Sequence, residues 1–288
     1  MNKTLALYLD GPLQSWGFES RFQRRGTGLF PTKSGIIGLL AAAMGIDSRY
    51  LPGDQAALAA ERVALKPFAE LQFTAYMLPR LRPAVMRRLR NVPALSFAEF
   101  LDALRLDIRQ SPHPGDEDEF LRDAVLPVER LEDYHTVIGT RRASGDVDFD
   151  ATVESRRAYL QDARFGVLLT GPDDIIGQAS SALENPQWGI WLGRKSCLPA
   201  APVFAGVFHD PKAALESLLQ RAGLPKDWPL DKLARRADTE NWESGQDTIA
   251  DKPIAFGAAV GHRHAPRRIT VRQPFNTSSG YGLQSEKD

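Results

Sequence analysis

Between Leu9 and Gly45 the chain strings a tryptophan, three arginines, a lysine and several hydroxyls along short loops: Gln14-Ser15-Trp16-Gly17, then Arg21-Phe22-Gln23-Arg24-Arg25, then Thr32-Lys33-Ser34. Guanidinium groups grip phosphate oxygens through two parallel hydrogen bonds and stack on flat rings. An aromatic side chain that stacks an unpaired base contributes about 1–3 kcal/mol. These types, spaced this way, suit a phosphate-bearing, base-stacking ligand better than a small metabolite. Trp16 has an equal claim to be a buried anchor.

The remaining chemistry is weaker. Gly28-Leu29-Phe30-Pro31-Thr32-Lys33-Ser34 resembles a phosphate-binding P-loop but has Thr32 after a rigid Pro31 where that loop needs glycine, so nucleoside triphosphate hydrolysis is not expected. Lys33, Ser34 and the amides of a helix start still make a single-phosphate site. Asp133-Tyr134-His135-Thr136 offers a general base, though a lone histidine beside an apolar strand is more often structural; Gly139-Thr140-Arg141-Arg142 follows with two cations. Glu154-Ser155-Arg156-Arg157-Ala158-Tyr159 sets paired arginines beside a ring, and Gly193-Arg194-Lys195-Ser196-Cys197 is a turn holding two more cations. Cys197 reads as a small buried hydrophobe rather than a nucleophile. His262 and His264 alone do not make a metal site. No metal and no cofactor is expected.

Charge sharpens the reading. The 288 residues carry 36 basic and 36 acidic side chains, a net charge of zero, whereas a free-standing nonspecific nucleic-acid binder is clearly basic. The signs are segregated. Arg80 to Arg90 holds five arginines and no acid, Lys252 to Ser285 holds Lys252, Arg263, Arg267, Arg268 and Arg272 and no acid, and Asp116-Glu117-Asp118-Glu119 is an acidic run that reads as a solvated face. Such a chain suits a subunit with nucleic acid on one side and protein on the other. The single cysteine excludes an internal disulfide and fits a reducing cytoplasm, and no apolar run is long enough to span a bilayer, so a cytoplasmic chain with no membrane partner is expected.

The elements that would position these groups follow from the apolar pattern. Leu5 to Leu9 reads as a central strand, and Gly35 to Met44 as a buried helix capped by Thr32 or Ser34 and closed by Gly45. Gly35 and Gly38, three apart, allow a close approach to the sheet or to a ligand. A helix is expected over 55–62 and a strand near Glu70–Tyr76. The Pro- and Arg-rich stretch from Pro79 to Pro127 contains one clear helix start, the capping box Ser96-Phe97-Ala98-Glu99. Ordered structure resumes over Leu131–Gly139. Strands are expected at Arg164–Leu169, Pro202–Phe208, Ile254–Phe256 and Arg268–Val271, and helices at Asp173–Leu183 and Pro211–Arg221. Strand, helix and strand, twice over, point to an α+β fold of the ferredoxin-like kind.

Three separated segments then carry a resemblance: Leu9 to Gly17 with Phe30 to Leu40, Asp133 to Gly139, and Tyr159 to Ala163 with Leu192 to Cys197. Together they resemble the CasD family, the subunit of the type I-E CRISPR surveillance complex, Cascade, that holds the 5′ end of the guide RNA. The resemblance covers Thr4 to about Phe208 and continues more weakly through Pro253 to Val271. It implies a modified RNA-recognition fold with a thumb and a second, degenerate ferredoxin-like half. On that reading residues 1–78 and 128–210 form the core, 79–127 the inserted thumb, 211–275 the C-terminal part of the body and 276–288 a flexible tail. It implies no catalysis; the partners would be the 5′ handle of the guide, the large subunit and a backbone subunit, with target DNA reached only through the complex. The RNA-facing residues would be Gln14, Ser15, Trp16, Arg21, Arg24, Arg25, Thr32, Lys33, Ser34, Tyr134, His135, Arg141, Arg142, Arg194 and Lys195. The connection from Phe68 to Leu131 is longer than the family's usual one. In a sister subtype the equivalent subunit cuts precursor RNA, so a metal-independent endoribonuclease using His135 or Tyr134 with Lys33 or Lys195 is the alternative. A purely structural assembly protein is the third.

Overall fold

The computed structural model describes residues 1–17, 23–46, 65–108, 117–141, 146–239, 245, 247–255 and 263–272. Arg21, Phe22, Arg142, the helix expected over 55–62, Phe256, His262 and the tail lie outside the described residues.

Strand β1 (Asn2–Asp10) alternates so that Leu5, Leu7 and Leu9 face one core and Ala6 and Tyr8 the other. Both faces are apolar because both are covered. Two short strands follow, β2 (Leu13–Gln14) and β3 (Arg24–Arg25), then helix α1 (Lys33–Met44). Thr32 caps α1 by accepting the Gly35 amide, and Gly45 closes it in a left-handed conformation. A short helix α2 (Lys66–Glu70) leads into β4 (Gln72–Met77). Three helices, α3 (Pro83–Arg88), α4 (Phe97–Ile108) and α5 (Glu117–Ala124), precede the long antiparallel pair β5 (Glu129–Arg141) and β6 (Val147–Gln161). The remainder is β7 (Arg164–Pro172), α6 (Asp173–Glu184), β8 (Phe204–Phe208), α7 (Pro211–Arg221), β9 (Ala234–Thr239), β10 (Asp247–Ala255) and β11 (Arg263–Arg272).

Seven strands form one antiparallel sheet in the order β10-β11-β9-β4-β7-β1-β8. Within it, β1, β4, β7 and β8 are laid out as β8-β1-β7-β4, with α1 following β1 and α6 following β7. One face carries α1 and α6 over Leu5, Leu7, Leu9, Phe73, Phe165 and Val167. The other carries α7 and α4 over Ala6, Tyr8, Tyr76 and Leu168.

Two parts of the architecture bear on the expected thumb and second half. The described residues of the segment 79–127 pack against the body of the protein. Phe97, Phe100, Leu101, Leu104 and Leu121 pack into the second core with Tyr8 and Tyr76, and Leu81 bridges to Val125. Its capping box is formed as expected: the Glu99 amide donates to Ser96 Oγ while the Ser96 amide and hydroxyl donate to the Glu99 carboxylate, which these bonds hold below the usual carboxylate range. The C-terminal strands join the main sheet. They add β9, β11 and β10 to the β4 edge of the same sheet.

Candidate nucleic-acid interface

The first loop is fixed from inside. Gln14 is fully buried; its Nε2 donates to the carbonyls of Leu9 (3.1 Å) and Ala163 (2.7 Å), and its Oε1 accepts from Trp16 Nε1 at 3.1 Å. Trp16 is 1% exposed, and a Cβ on Gly35 would lie 2.9 Å from its ring, so glycine is what lets α1 close on the indole. At that exposure Trp16 offers no open ring face for a base to stack on. Ser15 Oγ donates to Ala158 O, and the Trp16 amide donates to Thr27 Oγ1. These bonds pin both ends of the excursion that carries Arg24 and Arg25.

The start of α1 is not a vacant anion site. The Lys33 amide donates to Asp251 Oδ2 at 2.8 Å, and Asp251 in turn accepts from Arg267, Nε to Oδ1 at 2.6 Å and Nη2 to Oδ2 at 3.0 Å. The protein's own carboxylate takes the place that the P-loop-like spacing suggested for a phosphate, where the helix dipole favours negative charge. Lys33 itself is 3% exposed.

Above this frame lies a cavity of about 590 Å³, lined by Ser15, Trp16, Gly17, Arg25, Thr32, Ser34, Gly35, Gly38, Leu39, Ala42, Trp191, Gly193 and Arg194. Four chain segments thus supply hydroxyls, guanidiniums and a half-exposed indole to one concavity. Arg194 donates to the carbonyls of Ala158 (3.1 Å) and Arg25 (2.7 Å) and lies 4.8 Å over the Tyr159 ring, so its position is locked. Lys195 sits 5.5 Å over the Trp191 ring. Cys197 is fully buried beneath this turn, and burial pushes its thiol up, which fits a packing role.

The β5–β6 ribbon sorts the other candidates by face, because successive residues of a strand point to opposite sides. Arg25 registers with Arg157 and Arg24 with Arg156. Tyr134 opposes Arg156, and His135 opposes Ser155. Arg25, Arg157, Tyr159 and His135 therefore share the cavity face. Arg24, Arg156 and Tyr134 share the other, where Arg156 pairs with Glu132 at 3.6 Å and a hydrogen bond to Glu154 raises the Tyr134 phenol. Arg141 ends β5, at the far end of the ribbon. Arg157 was not among the candidates, although its place one residue after Arg156 would mark it once the strand is seen. Trp191 is the other addition; its position just before the Gly193-Arg194-Lys195 turn was the available signal.

Comparison with known proteins gives concordant findings. The family model described as CRISPR-associated protein (Cas_Cas5) matches residues 4–260. The CRISPR system Cascade subunit CasD of Escherichia coli (strain K12) is 30% identical over 220 residues, covering 75% of this chain and 76% of that one. A chain of a CRISPR RNA-guided surveillance complex superposes with a TM-score of 0.58 at 24% identity, covering 93% of this chain and 88% of that one. A crystal structure of a Cas protein gives a TM-score of 0.52 at 24% identity, covering 93% of each chain. At that identity the two structures speak to the fold.

Proposed function

We propose, from the premise that this chain belongs to the CRISPR-associated Cas5 family, that it grips the 5′ handle of a guide RNA within a Cascade complex and does not cut it. The observation that carries the reading is the cavity, where Arg25, Arg194, Thr32, Ser34 and Trp191 converge from separate segments. Single-stranded RNA is held by splayed bases, ring stacking and phosphate clamps, which these groups supply. In this reading β1, α1, β4, β7, α6 and β8 are the ferredoxin-like, RNA-recognition-type unit, supported by the strand order β8-β1-β7-β4. Its open-sheet mode of binding is closed to it, since Tyr8 and Tyr76 lie 4% and 8% exposed under helices. RNA is left with the cavity and the ribbon, and the ribbon rather than 79–127 takes the part of the thumb. Contacts to the large subunit and a backbone subunit belong to the same proposal.

The strand register and burial support the non-cleaving reading over the endoribonuclease alternative of His135 or Tyr134 with Lys33 or Lys195. Tyr134 and His135 point to opposite faces of the ribbon, so they do not act together, and Lys33 is buried with its amide on Asp251. Incubated with repeat RNA in EDTA, the purified chain is expected to leave it intact; specific scission lost in His135→Ala would overturn this. Retention of RNA is tested by face. Arg25→Gln is expected to weaken guide binding about tenfold and to lower the log–log salt slope by about 0.7, one phosphate's share on a single strand. Arg24→Gln, on the other face, is expected to change it less than about twofold. Equal effects from the two, or none from Arg25→Gln, would remove the cavity from the argument.

A further inference from the structure

The cavity belongs to the core on one face of the sheet, together with Trp16, Ile36 and Leu39. On the opposite face, the segment 79–92 carries five arginines and no acid. Arg80 turns inward to Asp10. Arg82, Arg87, Arg88 and Arg90 are exposed, on and around α3. Leu81, Val85 and Leu89 anchor the same short stretch in the second core, and Pro83 fixes its first turn. The arginines are thus held outward by an apolar side held inward. Among the described residues no hydrogen bond or ion pair engages the guanidiniums of Arg82, Arg87 or Arg90.

Like charges concentrated in this way repel one another, and a polyanion relieves the repulsion. The kind of polyanion follows from what is missing beside them. Residues 79–96 contain no Phe, Tyr or Trp, in contrast to the cavity with Trp191 and neighbouring Tyr159. Grooves for single strands pair cations with rings that stack bases. Contacts to phosphates alone position a duplex without reading its sequence. All five basic residues are arginines, whose planar fork matches phosphate oxygens.

We propose that this arginine ridge binds the phosphate backbone of double-stranded nucleic acid, as a second polyanion site separated by the sheet from the cavity. The proposal does not require the cavity to hold RNA. The probe is a short blunt-ended DNA duplex with no single-stranded ends, titrated into the full chain and into Arg82→Gln/Arg87→Gln/Arg90→Gln over a range of salt. The triple variant is expected to bind the duplex roughly tenfold more weakly, with a log–log salt slope smaller by about 2.7, that is about 0.9 for each of three phosphates on a duplex. Its affinity for the guide RNA should be unchanged. Unaltered duplex binding would overturn the proposal. So would an equal loss of RNA binding, which would make the ridge part of the RNA path, or a loss of partner-subunit association with duplex binding intact, which would make it a protein-docking surface. Failure of the cavity reading is separate: it would show in Arg25→Gln and leave the duplex titration untouched.

Discussion

Replacing Asp251 with alanine is expected to remove about 3–5 kcal/mol of folding stability, the usual cost of breaking a buried ion pair by deleting one partner. Asp251 is 1% exposed and Arg267 5%. The carboxylate accepts twice from Arg267 and once from the Lys33 amide, so its loss leaves a buried guanidinium uncompensated and opens the first turn of α1. Phe73, whose ring lies 5.2 Å from the Arg267 guanidinium carbon, cannot replace it. Against a typical domain stability of about 5–15 kcal/mol the effect is large. The asymmetry of buried pairs supplies the decisive comparison: Asp251→Ala/Arg267→Met, which removes both charges, should recover most of the loss. Urea midpoints of the two variants measure it. A single variant within about 1 kcal/mol of the parent, or a double variant no better than the single, would mean that this pair does not tie the β10–β11 edge to α1.

What the sequence revealed, and what it hid, follows the range of the interactions. Elements specified locally were legible. The helix expected at Pro211–Arg221 forms with those bounds, that expected at Asp173–Leu183 runs one residue longer, and Thr32, Gly45 and the Ser96–Glu99 box act as caps. Elements specified by pairing were not. Strand β6 runs Val-Asp-Phe-Asp-Ala-Thr-Val-Glu-Ser-Arg-Arg-Ala-Tyr-Leu-Gln, and from Glu154 to Arg157 it has no apolar alternation to announce it; β5 and β3 define it. Strand β9, Ala-Arg-Arg-Ala-Asp-Thr, is silent for the same reason. Of the residues chosen by type, Ser15, Arg25, Thr32, Ser34 and Arg194 line the cavity. Type could not show that Gln14 and Trp16 satisfy one another inside, or that Asp251, 218 residues beyond Lys33, takes the helix start. Strand alternation could have separated Tyr134 from His135 at the outset.

Gly193→Ala is the second large effect, and it couples stability to the cavity. Gly193 has φ of +94°, and a Cβ there would lie 1.8 Å from the carbonyl oxygen of Ser15. That overlap is with backbone, so no side-chain rotation relieves it. The Ser15 amide donates to Leu192 O at 3.1 Å, which makes this contact the seam between the 15–17 and 191–194 walls of the cavity. The left-handed φ alone costs a residue with a side chain of order 1–3 kcal/mol. Moving the turn off the seam adds the loss of that hydrogen bond and displaces Arg194 and Trp191. The variant is expected to lose about 3 kcal/mol or more by denaturant unfolding and to bind guide RNA at least about tenfold more weakly under conditions where it remains folded. Gly38→Ala provides the contrast on the same cavity. Gly38 lies in α1 with nothing within 4 Å of a built Cβ, so alanine there should add about 0.4–1 kcal/mol of stability and leave the seam intact. If Gly193→Ala folds and binds RNA like the parent, the two walls are not held by this contact; if Gly38→Ala abolishes binding while Gly193→Ala does not, the RNA lies over the helix and not against the 191–194 turn.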